Sequence, residues 1–306
     1  MWSLLRALAH TLPLWAASTR MSPTSRYWIA ELLLAFVAGN KPIMRALAVF
    51  LLLLPNVVFA AEKCPTPRLL TFQVEKEIRR DAVGFTEGLE VHDGALYEST
   101  GDFFGDSRIN RIDPATGHVS ALVNAGKTYF GEGMTVFGGK LYQMTWREGR
   151  VLVFDEATMR RLPELKNPRE GWGLTHDETQ LIASDGSSRL FFLSPHDFST
   201  KRTLKVMEGG RFLENINELE YAQGAIWANV FEEWDLMKIS PVTGCVEARV
   251  DLKPLRARMT KADRQAIDSD PNFIPNGVAY DPASGLFTLT GKYWPLLFSG
   301  RISEVN

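Results

Sequence analysis

Five times along the chain an alternating run, a polar turn and a second apolar run follow one another, and this recurrence limits the fold more than any other feature. The copies are EGLEVHDGALYEST from Glu87, FGEGMTVFGGKLYQMTW from Phe130, WGLTHDETQLIASDGS from Trp172, NELEYAQGAIWANV from Asn217 and NGVAYDPASGLFTLTGK from Asn276. Each reads as a β-hairpin, because apolar residues tend to recur at every second position around a short polar turn. Measured between Glu87, Glu132, Trp172, Asn217 and Asn276, the spacings are 45, 40, 45 and 59 residues. One four-stranded propeller blade occupies about that length of chain. Between the hairpins lie RINRIDPATGHVSALV from Arg108, RVLVFDEATMRRLPEL from Arg150, LFFLSPHDFSTKRTLKV from Leu190 and DLMKISPVTGCVEARV from Asp235, read as the outer strand pair of each blade. The predicted fold is all-β, a five-bladed β-propeller.

The first 60 residues are set apart by composition. From Met44 the order is Arg45, the apolar run ALAVFLLLLP and then Val58-Phe59-Ala60-Ala61, the layout of a signal peptide cleaved after Ala60 or Ala61. That run is shorter than the roughly 20 apolar residues of a transmembrane helix. The expectation is a leader over 1–60, with Met44 an alternative start and a membrane segment at Tyr27 to Val37 the weaker reading, followed by one domain over 61–306 that is exported, periplasmic or secreted, monomeric and not anchored to the membrane. Removing the leader removes five Lys or Arg and one Glu, which takes the formal charge from −2 to −6. An anionic exported chain without a basic stripe is a poor nucleic-acid binder. An oxidising compartment permits Cys64 and Cys245 to pair, and the sequence leaves both the bridge and the free thiols open.

Leu69 to Ile78 alternates like a strand and precedes the first repeat, whereas the last repeat has little chain left for outer strands. The N-terminal strand is therefore predicted to complete the last blade over 68–79, which closes the ring and covers its open edge. Leu252 to Pro275 breaks the strand pattern. Thr260 is placed to cap a short helix from Lys261 to Ile267, within an insertion between the fourth and fifth blades whose charges read as solvated surface.

Innermost propeller strands run in one direction, so their first residues gather at one mouth, and the antiparallel second strands return to it. Glu87, Glu132, Trp172, Asn217 and Asn276 should meet Thr100, Trp146, Asp185, Asn229 to Phe231, Gly291 and Lys292 there. A Glu or Asn at a strand start can also serve only to bond backbone N–H groups, the glycines that follow can serve only close packing, and Trp146 and Trp172 can be inter-blade packing. Lys292 in an apolar strand needs a partner. His92, His118, His176 and His196 are assigned to turns and outer segments, which supports neither a Ser-His-Asp triad nor a multi-histidine zinc site. Carboxylate acid/base chemistry in an aromatic pocket remains, as does an oxygen-ligand metal site of Glu87, Glu132, Asn217 and Asn276.

The motifs GFTEGL at Gly84, YEST at Tyr97, FGEG at Phe130, YQMTW at Tyr142, GWGLT at Gly171, SDGS at Ser184, NELE at Asn217, ANV at Ala228, NGVAYD at Asn276 and LTGKYWP at Leu289 resemble, in order and spacing, the plant-type glutaminyl-peptide cyclotransferases, a family with bacterial members. The resemblance implies a five-bladed propeller that converts the N-terminal Gln of peptides or proteins to pyroglutamate and releases ammonia. It implies no cofactor for catalysis and leaves room for a structural divalent cation. By motif, Glu132 matches the acid/base, Asn217 and Lys292 the polar substrate contacts, Trp146 and Trp172 the aromatic pocket, and Phe85 and Glu87 fall in GFTEGL. The plant pattern has Gln where Glu87 stands and Trp where Phe231 stands, so the substrate contacts at Glu87 and Phe231 depart from it. A metal-dependent propeller hydrolase and a non-catalytic peptide-binding propeller are the other two readings.

Overall fold

A computed structural model describes residues 64–305, so the expected leader, its cleavage site and the alternative start lie outside the described residues. Strand β1 (Arg68–Arg79) is followed by β2 (Phe85–His92), β3 (Ala95–Gly101), β4 (Arg108–Ile112) and β5 (Val119–Asn124), the last four forming one antiparallel sheet in chain order. A second sheet holds β6 (Gly131–Phe137), β7 (Lys140–Thr145), β8 (Arg150–Asp155) and the two-residue β9 (Leu165–Lys166). A third holds β10 (Leu174–His176), β11 (Leu181–Ser184), β12 (Arg189–Leu193) and β13 (Thr200–Lys205). A small hairpin of β14 (Met207–Glu208) and β15 (Arg211–Phe212), which the repeats do not announce, leads into β16 (Ile216–Ala222), β17 (Ala225–Val230), β18 (Asp235–Ile239) and β19 (Val246–Asp251).

The insertion carries two helices, α1 (Lys253–Ala257) and α2 (Lys261–Ile267). Thr260 caps α2 as expected: its hydroxyl accepts from the Asp263 N–H while the Asp263 carboxylate accepts from the Thr260 N–H, so two orphan donors are satisfied together. Then come β20 (Pro275–Asp281), β21 (Leu286–Gly291) and β22 (Leu296–Glu304). β22 is longer than the remaining chain suggests and forms the third strand of this group.

β1 lies antiparallel to β22 from Leu70–Glu304 to Arg79–Leu296, with a register shift between Val74 and Lys76. It thus completes the group containing the last repeat. Its first residues also pair in parallel with β19, which merges two sets of strands into one eight-stranded sheet of order β16-β17-β18-β19-β1-β22-β21-β20. Just after β1, the buried Arg80 donates to the Glu98 carboxylate of β3 at 2.5 Å and, through Nε, to the Trp294 carbonyl at 3.1 Å. This buried ion pair ties the first sheet to the last.

The innermost strands touch in sequence: β2 meets β6, β6 meets β10, β10 meets β16, β16 meets β20, and β20 meets β2. Apolar clusters fill the spaces between neighbouring sheets, as where Phe192 and Leu190 meet Ile216, Leu219 and Met237. Close approach explains the Gly that follows four of the five anchors, Asn217 being followed by Glu218. A Cβ at Gly133 would stand 2.4 Å from the Leu174 nitrogen, and one at Gly173 would stand 2.1 Å from the Asn217 carbonyl oxygen.

Cys64 and Cys245, 181 positions apart in sequence, form a disulfide with Cα atoms 5.2 Å apart. It pins the segment before β1 to the β18–β19 turn. A bridge closing so long a loop restricts the unfolded chain strongly, so the Cys64→Ser/Cys245→Ser double variant should lose about 2–4 kcal/mol of stability in a guanidinium titration. An unshifted midpoint would show that the bridge adds no constraint.

Candidate active site

The first residues of β2, β6 and β16, with those just before β10, converge with the ends of β7, β17 and β21 around a cavity of about 230 Å³. Phe85, Glu87, Glu132, Trp146, Trp172, Asn217, Phe231 and Lys292 all line it. Three further lining residues, Phe103, Phe130 and Asn272, are not singled out by sequence reading.

Glu132 is held by its backbone. The next residue, Gly133, donates its N–H to the Trp172 carbonyl at 2.7 Å, across to the neighbouring sheet, and the Ser99 hydroxyl donates to the Glu132 carbonyl, with Gln143 in turn donating to Ser99 at 2.8 Å. With both flanks fixed, the side chain points into the cavity. Its carboxyl oxygens make no hydrogen bond to the protein among the described residues, although the residue is only 6% exposed. Burial is the largest influence on it and raises its pKa well above the usual glutamate value; the nearby Glu87 raises it further, and Lys292 opposes the shift.

Lys292 Nζ donates to Glu87 Oε1 at 2.8 Å and lies 4.3 Å from the centre of the Phe85 ring and 5.6 Å from that of Phe231. Aromatic faces and one carboxylate therefore surround a buried ammonium. The other oxygen of Glu87 accepts from Asn276 Nδ2 at 3.1 Å, and the same amide reaches the Thr86 carbonyl at 2.8 Å. Burial raises the pKa of Glu87, while the charge and hydrogen bond of Lys292 and the amide of Asn276 pull it back. The backbone carbonyl of Asn217 accepts from Ser184 Oγ at 2.7 Å, and the residue lines the cavity.

The walls are aromatic. Phe130 packs edge-on to Phe85 at 6.2 Å and against Trp146 at 5.8 Å, while Trp172 meets Phe231 at 6.0 Å. The Arg147 guanidinium lies 3.8 Å from the centre of the Trp146 ring and pairs at 3.0 Å with Glu170, whose other oxygen is 3.5 Å from the Trp172 indole nitrogen. One surface ion pair thereby braces both indoles.

Several expectations change. Thr100 does not line the cavity, its hydroxyl being engaged with Arg108; the Asp185 carboxylate turns back to Ser187; Asn229 accepts from the Gly277 N–H; and Asn276 sits behind Glu87. His92 and His176 are not on turns or outer segments but at the last positions of β2 and β10, because each hairpin turns only after the histidine. They lie at the far end of the inner strands. Among the described residues, the His, Cys and carboxylate groups close enough to share an ion are His92, Asp93 and Glu156, also at that end. The insertion does bear surface ion pairs, such as Arg79 with Asp263, but its last turn also brings Asn272 to the cavity and Phe273 against Phe85.

The chain belongs to the glutamine cyclotransferase family, which its sequence matches over residues 48–302. It is 32% identical over 241 residues to a glutaminyl-peptide cyclotransferase of Arabidopsis thaliana, a match that covers 78% of this chain and 73% of that protein. The crystal structure of Myxococcus xanthus glutaminyl cyclase matches with a TM-score of 0.67 at 31% identity, over 78% of this chain and all (100%) of that one.

Because Glu132 keeps its proton to higher pH in the folded chain than in the unfolded one, the unfolded chain binds fewer protons between the two values and raising the pH weakens folding. The contribution is complete below the unperturbed value of 4.5 and is lost as pH rises through the raised folded value. Glu132→Gln removes this titration. Its stability relative to the wild type should rise in thermal melts as pH is raised above the unperturbed value of 4.5, and a pH-independent difference would contradict the raised pKa of Glu132.

Proposed function

We propose that this chain is an exported, five-bladed β-propeller glutaminyl-peptide cyclotransferase: it converts N-terminal glutaminyl residues of peptides and proteins to pyroglutamate and releases ammonia. The observation that carries the reading is the pairing, in one aromatic cavity, of a carboxyl free of protein hydrogen bonds, Glu132, with a buried cation, Lys292. The family and its named relatives support the activity. The ring of contacts among β2, β6, β10, β16 and β20 supports the five-bladed arrangement, and the Cys64–Cys245 bridge supports an oxidising compartment.

The reaction needs one proton moved twice. The substrate's α-amine attacks the side-chain amide carbon, the new C–N bond closes a five-membered ring, and the amine nitrogen gives a proton to Glu132. Glu132 returns that proton to the amide nitrogen as its C–N bond breaks, and ammonia leaves. A carboxyl whose pKa burial raises above the usual glutamate value suits both halves, since the same group must accept and then donate. Lys292 and the Asn217 amide face the carbonyl oxygen on which negative charge develops, an interaction worth about 3–4 kcal/mol in other enzymes. Glu87 keeps Lys292 in place. The rings of Phe85, Phe130, Trp146 and Trp172 hold the side chain curled toward its own amine and exclude the water that would otherwise hydrolyse the amide.

The geometry speaks against the oxygen-ligand metal reading. Lys292 Nζ occupies the space beside Glu87 where a cation would sit, and Asn276 presents its Nδ2 donor to that carboxylate. Glu132→Gln keeps the shape and loses the proton acceptor, so ammonia release from a Gln-initiated dipeptide should fall at least about a hundredfold with the fold retained. A folded Glu132→Gln variant with near-wild-type turnover would remove Glu132 from the chemistry, and a wild-type protein that binds such peptides without releasing ammonia would make this a binding module.

Turnover should also survive exhaustive chelation, even where thermal stability drops through loss of a structural ion. Activity lost on chelation and regained only with a divalent metal, the fold being intact throughout, would favour the hydrolase.

A further inference from the structure

We propose that the aromatic tip Phe103–Phe104 is the seat of the second residue of the substrate, so that the enzyme selects peptides in which the N-terminal Gln is followed by an aromatic or large apolar side chain. The proposal deepens the cyclotransferase reading and rests on it. Of the side chains lining the cavity, Phe103 and Asn272 are the exposed ones and so mark its mouth; the others are buried or half-buried. Phe103 is 72% exposed and its neighbour Phe104 94%. Phe103 continues the cavity wall outward, with its ring centre 4.6 Å from that of Phe130 and 6.0 Å from that of Trp146.

The tip is built to stay out in solvent. The Asp102 carboxylate accepts from the N–H groups of Phe104 at 2.7 Å and Asp106 at 3.0 Å, and the Asp102 N–H donates to Ser107 Oγ at 2.9 Å. That hydroxyl also accepts from the Gly131 N–H at 3.0 Å, so the turn is fastened to the residue next to Glu132. Gly105 has φ of +86° and lies close against Lys127, where a Cβ would meet backbone at 2.8 Å. Two adjacent aromatic rings held in water are unfavourable unless something apolar covers them.

Covalent geometry says what covers them. When the N-terminal residue cyclises in the cavity its carbonyl remains joined to residue 2, whose Cα lies about 3.8 Å from the first. Residue 2 therefore emerges at the mouth, where Phe103 offers an open ring face. A side chain that stacks there is held alike in the ground and transition states, so its contribution should appear in KM.

The test measures ammonia release by the purified mature protein from Gln-Phe-amide and Gln-Gly-amide. The wild type should favour Gln-Phe-amide in kcat/KM by about three- to tenfold, the range typical of one aromatic contact. Phe103→Ala should bring that ratio close to one, chiefly through KM for Gln-Phe-amide, while Phe103→Tyr should retain it. Because Phe103 is exposed, the alanine variant is expected to fold, which a thermal melt checks. Ammonia release with no preference in the wild type, or with the same preference in Phe103→Ala, would overturn this inference and leave the cyclotransferase reading standing. Absence of ammonia from both peptides would overturn both.

Discussion

The backbone contact between Gly133 and Trp172 sets the scale of the whole arrangement. A hydrogen bond of 2.7 Å from one innermost strand to the next sheet's chain requires the two to lie closer than any side chain on Gly133 would allow. The same demand recurs at Gly173 against Asn217 and at Gly88 against Met134. Strands drawn this close leave no room for an apolar core along their shared centre, so polar groups must be satisfied there. The carboxylate of Glu218 accepts the N–H groups of Leu89 at 3.1 Å and Val278 at 2.9 Å, that of Glu90 accepts the Val136 N–H at 3.1 Å, and that of Glu220 the Tyr280 N–H at 3.0 Å. Packing geometry and the supply of acidic side chains are therefore one constraint.

At the mouth that constraint turns into chemistry. Two carboxyls, Glu87 and Glu132, share one buried cation, and hydrogen-bond geometry divides it unequally: Lys292 sits 2.8 Å from Glu87, which also receives Asn276. Glu132 then has burial and a like charge against it and no donor for it, which raises its affinity for a proton. The unequal division separates a group that positions the cation from a group that exchanges a proton.

Much of this was legible from periodicity. Strands with period-two patterning and regular spacing place their first residues together whatever the loops do, and seven residues chosen on that basis, Glu87, Glu132, Trp146, Trp172, Asn217, Phe231 and Lys292, line one cavity; Phe85 was found through the family resemblance. The outer pairs appear where expected at β4–β5, β12–β13 and β18–β19, because Pro marks each of their turns, with Gly in the first and last; β9 shrinks to two residues, Leu165 and Lys166, where that signal is absent. Residues outside the period were not legible. Phe103 and Asn272 reach the mouth on irregular segments, and nothing in local sequence says where such a segment folds back. The parallel pairing of β1 with β19 and the Cys64–Cys245 bridge link parts of the chain far apart in sequence, and neither leaves a local trace. Thr100 and Asp185 had the right register and still turned away, since a neighbouring hydroxyl or backbone partner competes with the cavity for a short polar side chain.

Burial and a raised pKa would not by themselves single out Glu132. Glu218 and Glu220 are as enclosed, and burial is likewise the main cause that pushes their pKa well above the usual range. What separates them is occupancy. Glu218 has backbone N–H donors on both oxygens, so proton exchange there would break contacts between adjacent strands, and Glu220 is tied to the Tyr280 N–H in the same way. Glu132 can gain or lose a proton without breaking a protein hydrogen bond, and it faces a cavity rather than a neighbouring strand. In a ring whose centre must be polar, the acid that can react is the one the fold does not need for holding strands together.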